Sequence, residues 1–146
     1  MSDPKAARTF LQAEIEALEA LGFVLAGPAG KPLHVIEVTR LEDGGLEVQV
    51  PGRPGSVPEL PPAIRAGLRE AGFASEDPAD PTQPWVHRVA DSAAAVALVQ
   101  RVLTSVFGEK PDLALDVIHG SHRAEHEAQR KLAAVRERID RKSTRL

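Results

Sequence analysis

Two alternating stretches joined by glycines constrain this chain more than any other feature. Residues 33–40 are rich in β-branched side chains, with Ile36 and Val38 on one face and Val35 and Thr39 on the other. Leu46, Val48 and Val50 then alternate with Glu47 and Gln49. Successive strand side chains point to opposite faces, so this period of two reads as a pair of half-buried strands. Between them, Glu42-Asp43-Gly44-Gly45 supplies glycines for the positive φ angles of a tight hairpin. A hairpin amphipathic in this way needs a second layer, and the flanking sequence offers it as helices.

Asp3 before Pro4 reads as an N-cap with proline at the first helical position, and Leu11, Ile15, Leu18 and Leu21 make an amphipathic stripe. This predicts a first helix from about Lys5 to Leu21, with Gly22 ending it. Phe23 to Ala26 reads as a short edge strand, followed by a turn over Gly27-Pro28-Ala29-Gly30. Residues 51–58, PGRPGSVP, form a stiff loop. Leu60, Ile64 and Leu68 line a second helix that opens on Pro61 and Pro62 and stops at Gly72. An acidic, proline-rich connector over residues 74–84 is expected to be exposed and mobile.

Trp85 to Ala90 predicts another strand, with Trp85, His87 and Val89 sharing a face. Asp91 then caps a third helix through Phe107, cored by Val96, Val99, Leu103 and Val106 and closed by Gly108. Leu113, Leu115 and Val117 suggest a further strand, in which Asp116 is awkward if both faces are buried. Ser121 is placed to cap a terminal helix to about Arg141, whose stripe Ala128, Leu132, Val135 and Ile139 is narrow, nearer a two-helix seam than a core face. The expected fold class is therefore α+β: a single domain with an antiparallel sheet of about five strands flanked by helices. Residues 1–120 make its body, and residues 121–146 its basic C-terminal helix and tail.

A chain of 146 residues with 42% hydrophobic and 27% charged side chains has the ordinary make-up of one globular domain. Four Phe, one Trp and no Tyr leave few platforms for base stacking. The absence of cysteine excludes disulfides, thiolate metal sites and a cysteine nucleophile. Met1-Ser2-Asp3-Pro4-Lys5 does not open a secretory signal, and no window approaches the roughly 18 apolar residues of a membrane span, so a cytoplasmic location is expected. The charge of −3 hides an asymmetry: residues 1–120 carry 10 basic and 17 acidic groups, while residues 121–146 carry 8 basic and 4 acidic groups. Such a split accompanies either a binding tail or a basic helix folded on its own acidic body.

Several marks recur in order through residues 8–113: Leu21-Gly22-Phe23 after the first helix, Leu68 with Gly72-Phe73 after the second, and Pro84-Trp85 opening the later strand. Asp91 precedes the third helix, and Leu103 with Val106-Phe107-Gly108 ends it. With the order helix, three-stranded meander, helix, strand pair, helix, the chain resembles the type III secretion chaperone/YbjN-like superfamily, in particular its small chaperone-like domains of high-GC bacteria. The resemblance implies a non-enzymatic, often dimeric fold that holds a partner polypeptide along exposed sheet and helix surface. The basic helix from Ser121 onward lies outside it.

No catalytic constellation assembles from the residues, so no enzyme and no cofactor is expected. There is no G-x-S-x-G elbow, no P-loop and no G-x-G-x-x-G. His119, His122 and His126 are spaced as metal ligands can be, with Glu125 or Asp116 as further donors, but Arg123 stands where a zincin pattern needs glutamate. A solvated helix start explains them as well, and no metal is expected. The partner-binding candidates are Ile36, Val38, Val48 and Trp85 on the sheet, with Leu132, Val135 and Ile139 on the terminal helix. The leading expectation is a protein-binding module that works as a homodimer on a polypeptide client. The alternative is a nucleic-acid accessory protein contacting phosphates through Arg130, Lys131, Arg138 and Arg141.

Overall fold

The computed structural model describes residues 4–28, 34–52, 60–75, 77, 79–80, 83–110 and 115–143, without the side chains of residues 4–7, 125–126 and 139–143. The elements are α1 (Pro4–Glu16), β1 (Gly22–Pro28), β2 (Ile36–Arg40), β3 (Leu46–Val50), α2 (Pro62–Glu70), β4 (Ala74–Ser75), β5 (Trp85–Val89), α3 (Ser92–Arg101), β6 (Leu115–Ser121) and α4 (Arg123–Ser143). A π-helical turn over Val102–Val106 continues α3. The strands form one open sheet in the order β4-β5-β3-β2-β1-β6, with every pairing antiparallel.

The hairpin sets the register. Val38 lies opposite Val48 and Arg40 opposite Leu46, while Asp43 accepts the Gly45 N–H at 2.8 Å to hold the turn. Carried outward, this places Val24, Val38, Val48 and His87 in one row on one face. Leu11 and Ile15 of α1, Leu68 of α2 and Ala95 and Val99 of α3 pack on that face against Val24, Ile36, Val38, Leu46, Val48, Val50 and Trp85. Each such buried Leu, Ile or Val contributes about 1.5–3 kcal/mol over exposure, so this layer dominates the fold's stability. The helix boundaries follow local chemistry. Asp91 accepts the Ala94 N–H at 2.8 Å as the N-cap of α3. Past the end of α2, Gly72 takes φ +96°, and Phe73 N–H reaches the Leu68 carbonyl at 3.0 Å, the Schellman closure that glycine makes accessible.

The structure bears out an α+β domain but moves several boundaries. Among the described residues the sheet has six strands rather than five, the added one being the two-residue β4 inside the connector read as loop. Phe23–Ala26 does not lie at an edge: β6 pairs along β1 from Gly22 to Pro28, which also makes Gly27-Pro28 strand rather than turn. Helix α1 stops at Glu16, short of Leu21, because Leu21 is drawn to β2, where its N–H bonds the Arg40 carbonyl at 2.7 Å with φ 66°. α-Helical bonding in α3 gives way at Val102 to the wider turn, although Val102 and Leu103 stay buried as the stripe predicts. Ser121 ends β6 yet still caps the next helix, its hydroxyl accepting the Arg123 N–H at 3.1 Å. Asp116 is exposed on β6, so its place in the strand costs little. Among the described residues no helix is long and apolar enough to cross a membrane.

Candidate functional site

Helices occupy one face of the sheet. On the opposite face the register aligns Ile118, Leu25, Glu37, Gln49 and Val86 in one row, with Gly120, Phe23, Thr39, Glu47 and Arg88 in the next. The β1–β6 side of these rows is apolar and the β2–β3 side polar. Between them lies a depression of about 560 Å³ lined by Phe23, Leu25, Glu37, Gln49, Gly52, Ile118, His119 and His122. Ile118 on its rim is 51% exposed. A Cβ at Gly120 would meet the Phe23 ring, which lies across it, so glycine leaves room for that ring here.

Glu37 lies within this depression and is almost wholly buried. Burial pushes its carboxyl above the ordinary 4.5, while the charge and hydrogen bond of His122 and a hydrogen bond from Thr39 pull the other way. His122 reaches Glu37 Oε1 through Nε2 at 3.1 Å and lies over the Phe23 ring, centroids 4.6 Å apart. Its backbone N–H bonds the Leu21 carbonyl at 2.8 Å, so the start of α4 is fastened to β1 by main chain and side chain together. A carboxyl raised by burial beside an imidazole is a pair able to exchange a proton. Here both Glu37 partners come from the protein itself, and the arrangement serves to hold His122 over the sheet.

The residues singled out from sequence fall in three places. Ile36, Val38, Val48 and Trp85 face the helices and are at most 3% exposed, so their side chains are spent on the core. Leu132 and Val135 are half exposed on α4, while the side chain of Ile139 lies outside the described residues. The histidines are not brought together as ligands: His119, at the margin of the depression, pairs with Glu14 of α1, His122 pairs with Glu37, and the His126 side chain is outside the described residues. Among the described residues no three His, Asp or Glu side chains converge as metal ligands. Arg130 bonds Glu42 in the hairpin turn at 3.1 Å, Lys131 and Arg138 are exposed, and the Arg141 side chain lies outside the described residues. His34 stacks on Phe107 and bonds Glu109 at 2.8 Å, and His87 packs edge-on to Phe73, both in structural roles.

Sequence reasoning missed Phe23, Leu25, Glu37 and Ile118 as a set. The alternation placing Phe23 and Leu25 opposite Val24 and Ala26 was readable, but the pairing of β6 with β1 that gathers them was not. No known protein family, no curated protein and no solved structure matches the chain.

Proposed function

We propose that the protein is a non-enzymatic polypeptide-binding module that acts as a homodimer in the cytoplasm, in the manner of secretion-chaperone/YbjN-like adaptors. The observation that carries this reading is β6. It is a seven-residue edge strand without proline or lysine, and it borders the apolar side of a depression rimmed by the exposed Ile118. An uncovered edge of that length offers main-chain donors and acceptors to an extended peptide, and a neighbouring depression selects its side chains. The element order α1-β1-β2-β3-α2-β4-β5-α3 is the order from which the resemblance is drawn. Antiparallel pairing with β1 through His122 N–H and Leu21 C=O turns the Val117 and His119 N–H groups away from β1, toward the edge where a client strand would pair.

The test combines capture from native lysate with hydrogen exchange. A defined polypeptide co-purifies with the wild-type chain, its binding slows exchange at Val117 and His119, and Ile118→Asp abolishes capture while leaving the melting temperature nearly unchanged. Retention of the same partner by Ile118→Asp, with no protection along β6, removes the reading. A second reading is favoured by the exposed Lys131, Arg136 and Arg138 on α4, which suit contact with nucleic-acid phosphates. It requires salt-dependent retention of DNA or RNA that is lost when those three become glutamine.

A further inference from the structure

We propose that α4 is an exchanged arm: its cation-flanked apolar stripe docks on the acid-flanked outer face of α1 in a second copy of this chain, which returns the same contact. This builds on the homodimer part of the reading above and not on client capture, so the two fail separately.

Helix α4 spans 21 residues, about 31 Å at 1.5 Å per residue, and every described side chain from Glu127 to Arg138 is exposed. Among the described residues, Leu132 and Val135 are two of the four large hydrophobic side chains most open to solvent, at 51% and 48%. The helix start is fixed to its own sheet by His122 and again by Arg130 on Glu42, while Leu132 and Val135 of the stripe stay half exposed. With Ala128, Leu132 and Val135 as the seam, the positions beside it are Gln129, Lys131, Arg136 and Arg138, whereas Glu137 falls on the far side and Glu127, next to the Arg138 flank, is paired with Arg123 at 3.4 Å. Two α4 helices facing each other would oppose these cations in either orientation, and like charges across a helix pair repel. The stripe calls for an apolar helix face bordered by acids.

Helix α1 presents one. Leu11 and Ile15 face the core, and the opposite side carries Phe10, 54% exposed, with Ala13 and the following Ala17 also exposed. Glu14 and Glu16 border this stripe on its two sides. Both are already oriented, Glu14 against His119 and Glu16 by hydrogen bonds from Gln12 and Ser92 at 3.2 and 2.9 Å. Those hydrogen bonds hold the Glu16 carboxyl below its usual range and keep it anionic. The two alanines leave space between ridges for Leu132 and Val135, and the glutamates meet Lys131, Arg136 and Arg138. A two-fold arrangement uses each contact twice.

The test is a charge exchange read by light scattering on the full chain. Wild type is a dimer at sub-millimolar concentration, and added salt weakens it. Two variants are made: Lys131→Glu/Arg136→Glu/Arg138→Glu, and Glu14→Lys/Glu16→Lys. Alone, each sets like charges against each other and dissociates at least about tenfold more readily. Mixed, the acidic α4 of one meets the basic α1 of the other, and vice versa, so dimer mass returns. A monomeric wild type overturns the proposal. So does a Glu14→Lys/Glu16→Lys variant that stays dimeric by itself, the signature of α4 pairing with α4 or of another surface. A mixture that remains monomeric while both variants keep wild-type circular dichroism also overturns it. If either multiple change does not fold, Arg136→Glu mixed with Glu16→Lys poses the same question with one charge on each side.

Discussion

Val48 and Val135 are the same residue type in equally regular patterns, yet Val48 is fully buried and Val135 is 48% exposed. Val48 belongs to a sheet whose apolar face is sealed by α1, α2 and α3, with its row fixed by neighbours on both sides. Val135 belongs to a helix that touches its own body at its start and through Arg130. The body is held by burial, whereas the contacts described between α4 and the body lie at His122 and Arg130. Periodicity tells which face of an element is apolar; what covers that face is a separate matter.

The contrast can be broken at its strongest point first. Leu68→Ala empties a fully buried site between α2 and the sheet and should destabilise the chain by about 3 kcal/mol in a denaturant titration. Leu132→Ala, removing the same atoms from α4, should change the unfolding free energy of the monomer by less than about 0.5 kcal/mol. Comparable losses at both positions would mean that α4 belongs to the body after all.

Between these extremes lies the junction of the two regions. Gly120→Ala places a Cβ where the Phe23 ring lies, so Phe23 must turn away from its contact with His122. A cost of about 1–2 kcal/mol is expected, with faster hydrogen exchange over the first turn of α4. An unperturbed melting curve would show that Phe23 does not anchor that turn.

The Glu37–His122 pair gives a smaller, pH-dependent effect. Because burial raises the Glu37 carboxyl, the folded chain holds this proton more tightly than the unfolded chain does. Its contribution to stability is fully present below the ordinary 4.5 and is lost as pH rises through the raised folded value. Glu37→Gln lacks that loss. Thermal melts from about pH 4 to about pH 8 should therefore move in favour of the variant, relative to wild type, as pH rises. A gap moving the opposite way would show that the attraction to His122 outweighs burial.

Much of the body was legible along the chain. The Leu46-Val48-Val50 alternation and the Gly44-Gly45 turn located the hairpin, and Asp91 and Gly72 marked the start of α3 and the end of α2. These are local signals, set by φ preferences and by side chains capping their own neighbours. The candidate site was harder to see. Glu37 reads as an ordinary outward residue of a half-buried strand until β1 and β6 close around it, and Ile118 becomes its neighbour only through a pairing across more than eighty residues.

The sequence by itself determined the two-layer α+β character, the polarity of each strand and helix, and the basic stripe of α4, because backbone preference and apolar period act within a few residues. Only the tertiary structure decided that Ile36, Val38, Val48 and Trp85 are core, that Phe23, Leu25, Glu37 and Ile118 form one depression, and that Leu132 and Val135 of α4 are half exposed. Those outcomes depend on which strand pairs with which and on what lies across the sheet. Strand order is set by the total apolar area buried by the whole chain, a quantity no local window contains.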